Sequence, residues 1–237
     1  MRFWNLLRKQ PSEVRCSVVI LAAGSSSRMG QDKIMLNLGD IPVIVHTIRS
    51  FETVYEVAEV VVVTREDLVP EIAGLCKVFD LRKVSKVVRG GVSRTESAHI
   101  GVSEVSPDTK LIAIHDAARP FASEELIRAV ILKASETGAA APAVPVKDTI
   151  KIAHDGVVET TPSRATLFAV QTPQVFDADL IRAALQKVLD DGAEITDDCS
   201  AVERLGMKVT LTNGEEQNFK LTTPADHALA EYLMSEG

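Results

Sequence analysis

Apolar runs of strand length alternate along this chain with segments whose apolar residues recur at helical spacing. The runs at 16–23 (CSVVILAA), 57–64 (VAEVVVVT), 86–90 (KVVRG) and 110–116 (KLIAIHD) are apolar on both faces, as strands covered on both sides must be. Between them, helices are predicted over 41–54, with Pro42 near the start, over 66–77 and over 93–103. A further helix, SEELIRAVILKASETG, has Ser123 as its N-cap and Gly138 as its terminator. Strand–helix alternation of this kind predicts an α/β fold with a mostly parallel sheet and helices on both faces.

The pattern changes at Ala139. AAAPAVPVKDTIKIAHDGVVETTPS contains short β-like runs around Asp155–Gly156, a strong hairpin signal. A hairpin does not easily continue a parallel sheet, so residues 139–160 are expected to project as an arm. Helical text resumes at 177–189 and 197–205, a strand is predicted over 207–214, and a last helix starts at Pro224. No repeat or linker interrupts the chain. The expected organisation is an N-terminal extension over 1–15 and one domain over 16–237 carrying the arm.

Of the 237 residues 46% are apolar, which is ordinary for a globular protein, and the net charge of −7 argues against a nucleic-acid coat. Any anion site must then be a local cluster of cations. Cys16, Cys76 and Cys199 are far apart and share no metal-ligand spacing with the five histidines, so they read as free thiols in a reducing, cytoplasmic compartment. No apolar stretch reaches the roughly 20 residues of a membrane span, and residues 1–15 lack the apolar core of a signal peptide.

Ligands of open parallel sheets bind beyond the carboxyl ends of the strands. Four loops there carry cations: AAGSSSRMGQDK (Arg28, Lys33), RGGVSRTES (Arg94), HDAARP (Arg119) and NFKLTTPAD (Lys220). A single loop arginine is usually a solvated or carboxylate-paired surface residue, and Asp116–Arg119 reads equally well as a pair locking its own loop. The cluster, rather than any member, implies a focused anion site. Neither G-x-x-x-x-G-K-[ST] nor G-x-G-x-x-G occurs. Helix N-termini and several cations suit a polyphosphate whose charge shifts during nucleotidyl transfer. Ala22, Ala23 and Gly24 would let a flat base approach bare backbone. TDDCSAVE, with Asp197, Asp198 and Glu203, reads as a capped helix start with acids complementing the dipole, the alternative being a metal cage.

The stretches AAGSSSRMG, GG…R…S, HDAARPF, PVKDTIK, TPQVF, TDDCSAVE and KLTTPAD, in this order from about Cys16 onward, resemble the motifs of the 2-C-methyl-D-erythritol 4-phosphate cytidylyltransferases of the non-mevalonate isoprenoid pathway. The resemblance implies a Rossmann-like nucleotidyltransferase fold. It implies transfer of a cytidylyl group from CTP, with Mg²⁺ carried on the triphosphate, to 2-C-methyl-D-erythritol 4-phosphate; another polyol phosphate such as ribitol 5-phosphate is the alternative acceptor. A nucleotide-binding regulator without catalysis is disfavoured by the full set of cations. Arg28 and Lys33 would meet the charge at the α-phosphorus. Ala22, Ala23, Gly24, Gly91 and Ser97 would line the nucleoside pocket, with Arg94 shaping that loop. Asp116 and Arg119 would contact the sugar phosphate, and Thr149, Arg164, Thr172 and Lys220 would hold its phosphate. The family's dimers reach the neighbouring site through an arm, which leaves Thr149 and Arg164 to act in cis or in trans. Two departures stand out: only MGQD separates Arg28 from Lys33, and Val92–Ser93 occupy positions where acids are common.

Overall fold

The computed structural model describes residues 14–24 and 32–236. Arg28 and nearly all of the predicted N-terminal extension therefore lie outside the described residues. The chain opens with strand β1 (Cys16–Ala22), a two-strand ribbon of β2 (Asn37–Leu38) and β3 (Ile41–Pro42), and helix α1 (Val43–Glu52). Then follow β4 (Val57–Thr64), α2 (Val69–Val78), β5 (Val84–Arg89), α3 (Arg94–Glu104), β6 (Leu111–Asp116) and α4 (Glu124–Thr137). The second half comprises β7 (Ala139–Pro145), β8 (Ile152–His154), β9 (Val157–Thr160), β10 (Phe168–Val170), β11 (Gln174–Asp177), α5 (Ala178–Asp190), α6 (Asp198–Arg204), β12 (Thr210–Asn213) and α7 (Pro224–Glu236).

The helix ends follow local chemistry. Ser93 Oγ accepts from the Glu96 N–H at the start of α3, and Ser123 Oγ accepts from the Leu126 N–H at the start of α4. Gly138 ends α4 at φ +82°, a left-handed cap. α1 starts two residues later than the sequence suggests because Ile41–Pro42 is taken up by the β2–β3 ribbon.

Strands β5, β4, β1 and β6 are parallel neighbours. Next to β6 lies β11, antiparallel to both β6 and β7. Ala140 pairs with Thr210 as well as with Val175, so β12 and β11 flank β7 on opposite sides. β10 continues the line of β11 along β7, the two being separated by Gln171, Thr172 and the cis-linked Pro173. Side chains alternate between two apolar layers. Val18, Ile20, Val60 and Val62 face α1, α2 and α4, whereas Val19, Val61 and Val63 face α3, α5 and α6.

The expected arm over 139–160 is corrected at its first boundary. Ala139–Ala143 are buried in the central sheet as β7, and the projecting part starts after Pro145. The alanines and two prolines disguised this strand. Pro142 is tolerated because it stands opposite the break between β10 and β11, where its carbonyl still accepts the Gln171 N–H at 2.8 Å. The hairpin itself is present: β8 and β9 pair antiparallel through Asp155 (φ +49°) and Gly156 (φ +78°), with every strand residue exposed. β10 and β11 were not predicted at all; they are three and four residues long and flank a proline.

Candidate active site

Three parallel strands and the loop before α7 deliver their chemistry to one cavity of about 400 Å³. β1 ends in Ala22, Ala23 and Gly24, which form one wall. Gly91, Arg94 and Ser97, at and after the end of β5, form the facing wall, while Lys33, Asp116 and Lys220 complete the lining. All four of the cation-bearing loops expected beyond the strand ends contribute residues to this cavity.

The β5–α3 loop is wired to the first turn of its own helix. Ser97 Oγ accepts the Gly91 N–H at 3.2 Å and donates to the Ser93 carbonyl at 2.9 Å. The Val92 N–H donates to Glu96 Oε2 at 2.7 Å. A Cβ on Gly91 would fall 2.3 Å from Glu96 Cβ, so glycine is required by close approach. Arg94 anchors the loop from below: its Nη1 and Nη2 donate to the two oxygens of Asp198 at 2.9 and 2.7 Å. Asp198 is fully buried, and burial pushes its carboxyl up, while the two-pronged contact with the guanidinium is the geometry of an ionised pair. Burial opposes the charge on Arg94 as well, but Asp198 and Asp116 outweigh it and raise its pKa. Asp197, not Asp198, caps α6, accepting from the Ser200 N–H at 3.0 Å. TDDCSAVE is thus a capped helix start whose second acid holds Arg94 and, through it, the β5–α3 loop.

Asp116 is the hub of the cavity. Lys220 Nζ lies 2.9 Å from its Oδ2, Arg119 Nε 3.7 Å from the same oxygen, and Arg94 Nη2 3.7 Å from Oδ1. Burial alone would raise the Asp116 pKa, yet Lys220, Arg94 and Arg119 hold it down at about 2. Its ionised side chain pre-sets Lys220 and Arg94 at the cavity. Arg119 does not line the cavity; its Nη1 donates to the Asn218 carbonyl at 2.6 Å, which is the loop-locking arrangement.

Thr172 is buried and works inside the wall. The Asp116 N–H donates to Thr172 Oγ1 at 3.1 Å, and that hydroxyl lies 3.0 Å from His115 Nδ1. His115 Nε2 faces the Arg119 carbonyl at 3.1 Å, so Nε2 carries the proton and Nδ1 accepts from Thr172. Complete burial favours this neutral ring and lowers its pKa to about 4. Sequence reasoning assigned nothing to His115 or to the pairing of Asp198. The available signal was a histidine inside an apolar strand, because a buried polar group needs partners.

Thr149 and Arg164 are both exposed on the arm and do not line this cavity; Arg164 Nη1 donates to the Lys147 carbonyl at 2.9 Å. Among the described residues no helix is long and apolar enough to cross a membrane.

A family model described as 2-C-methyl-D-erythritol 4-phosphate cytidylyltransferase matches residues 16–236. Proteins of that name from Caldanaerobacter subterraneus and Halalkalibacterium halodurans are 42% and 44% identical to this chain, covering 92% and 93% of it and 98% and 97% of their own lengths. The crystal structure of 4-diphosphocytidyl-2C-methyl-D-erythritol synthase from Anaerococcus prevotii superposes with a TM-score of 0.84 at 31% identity, covering 94% of this chain and 97% of that one. The 2-C-methyl-D-erythritol 4-phosphate cytidylyltransferase from Thermus thermophilus gives 0.77 at 32% identity, covering 93% and 99%. With the strand-end cavity, its cations and its glycine-walled loop all in place, the chain belongs to the 2-C-methyl-D-erythritol 4-phosphate cytidylyltransferase family.

Proposed function

We infer that this chain transfers the cytidylyl group of CTP to 2-C-methyl-D-erythritol 4-phosphate. A phosphate oxygen of the acceptor attacks the α-phosphorus, a new P–O bond forms, the bond to the β-phosphate oxygen breaks, and pyrophosphate leaves. A phosphate monoester is already dianionic near neutral pH, so the step needs no strong base. The difficulty is bringing two anions together, which fixed cations relieve. The observation that carries this reading is the convergence of Lys33, Arg94, Asp116 and Lys220 on a cavity walled by the bare backbone of Ala22–Gly24 and Gly91.

In this reading Ala22, Ala23, Gly24, Gly91 and Ser97 receive the nucleoside. Arg28 and Lys33 stabilise the charge at the α-phosphorus, and Lys220 holds the acceptor phosphate, oriented by Asp116. Mg²⁺ would arrive on the triphosphate and neutralise part of its charge. The acid lining the cavity, Asp116, already serves Lys220, Arg94 and Arg119, a donor set suited to placing cations rather than caging a metal. The chain is proposed to act as a homodimer in the cytoplasm, a reducing compartment that suits its free cysteines. Exposed Ile150, Ile152, Val157, Val158 and Phe168 give the arm an apolar surface to bury against a second copy. Thr149 and Arg164 would then complete the partner's site.

Purified protein with CTP, Mg²⁺ and each candidate acceptor tests this directly. Pyrophosphate release with 2-C-methyl-D-erythritol 4-phosphate and not with ribitol 5-phosphate is expected. Turnover of ribitol 5-phosphate alone would remove the assignment.

A further inference from the structure

The end of β4 was not among the strand ends that supplied candidate residues, yet it occupies the middle of the site's scaffold. Thr64, its last residue, donates its hydroxyl to the Ala22 carbonyl at 3.3 Å, and its own carbonyl accepts the Gly90 N–H at 2.7 Å. The next residue, Arg65, therefore stands between the two loops that wall the cavity. All three nitrogens of its guanidinium donate to carboxylates: Nη1 to Asp32 Oδ2 at 2.5 Å, Nε to Asp67 Oδ1 at 3.2 Å and Nη2 to Asp67 Oδ2 at 3.2 Å. With every nitrogen donating to an acid, Arg65 is built as a tether and not as an anion ligand. Its ion pair with Asp32 is partly sheltered, with side-chain exposures of 33% and 17%.

Asp32 begins the turn that carries the catalytic lysine. Its carbonyl accepts the N–H groups of Met35 and Leu36 at 2.9 and 3.2 Å, and the following Lys33 and Ile34 both line the cavity. Fixing the Asp32 side chain thus fixes where this turn starts and where Lys33 leaves the backbone. We propose that Arg65 is a positioning residue for cytidylyl transfer, clamping Asp32 so that Lys33 is presented to the cavity. This inference rests on the transfer reaction proposed above.

A role exercised through Lys33 has a kinetic signature that general stabilisation lacks. Misplacement of a catalytic group by about 1 Å costs on the order of 10²-fold, so Arg65→Ala is expected to lower kcat about 10- to 100-fold with little change in the KM for CTP. Asp32→Asn should match it, Arg65→Lys should restore part of the rate, and Arg65→Ala in a Lys33→Ala background should cost nothing further. Independently of turnover, labelling of Lys33 by an amine-reactive reagent, read by peptide mass spectrometry, should change severalfold in both Arg65→Ala and Asp32→Asn. Unchanged Lys33 labelling, or losses that multiply in the Arg65→Ala/Lys33→Ala double variant, would overturn the clamp. An inactive wild-type chain would instead remove the transfer reaction, while the labelling still decides the clamp. Should Arg65→Ala fail to fold, Asp32→Asn alone decides by the same two readouts.

Discussion

His115, in the interior of β6, makes two hydrogen bonds, and the one it accepts from Thr172 at Nδ1 depends on its being neutral. Its native pKa of about 4 lies below the ordinary 6.5, so on acidification the unfolded chain takes up this proton first. The contribution of the neutral ring is complete above pH 6.5 and is lost as pH falls toward 4; it amounts to about 3 kcal/mol across that window. Asp116, held at about 2 against an ordinary 3.8, extends the loss to still lower pH, by the same sign. Urea midpoints measured between pH 7 and 4.5 should fall for the wild type. In His115→Gln, which starts less stable, the decline should be much flatter, and an equally steep one would show that another group sets the acid limb. At this scale the sequence made Asp116, Lys220 and the small residues of the first loop legible, because each lies at the end of a strand or in the loop that follows one. It did not reveal that Thr172 is occupied within the wall, or that Arg94 needs Asp198. Those are long-range partnerships across 56 and 104 residues of chain, which no local spacing encodes.

The elements themselves were predictable wherever period and punctuation agreed. β1, β4 and β6 are continuous apolar runs, and α4 has both of its caps written in the sequence. β7 was mistaken for arm because small residues and prolines carry little strand signal, although burial in the sheet overrides that weakness. β10 and β11 escaped because three- and four-residue strands exist only through their neighbours. Packing is close where α3 crosses the sheet: a Cβ on Gly101 would come within 2.3 Å of Val19 Cγ1 and 2.9 Å of Val63 Cγ2. Gly101→Ala should therefore displace α3 from β1 and β4 and cost about 1–3 kcal/mol. Because α3 carries Arg94 and Ser97, the KM for CTP should rise along with the fall in the urea midpoint. Unaltered stability would mean that the helix moves aside freely.

Across the whole molecule, an acidic protein of net charge −7 gathers Lys33, Arg94 and Lys220 around one cavity, while the arm leaves the domain carrying exposed apolar residues. Its base is firm, since Ala143–Pro145 pair with Phe168–Val170 on either side of the projecting segment. If Arg164 serves the neighbouring copy, mixing Arg28→Ala subunits with Arg164→Ala subunits should recover activity, since one site of each mixed dimer is then intact. Pyrophosphate release from verified mixed dimers measures this, and no recovery would place Arg164 in its own subunit's site. The charge balance of the sequence implied a focused anion site, but how far the arm reaches is a property of two chains and is not written in one.

The Arg94–Asp198 pair also limits how this sequence can drift. Losing Arg94 strands the buried charge of Asp198, at a cost on the order of 3–5 kcal/mol, and lysine cannot replace the two-pronged contact of arginine. Two codons for positions 104 residues apart are thereby bound into one heritable unit: a lineage that abandons one must pass through a crippled intermediate or exchange both together.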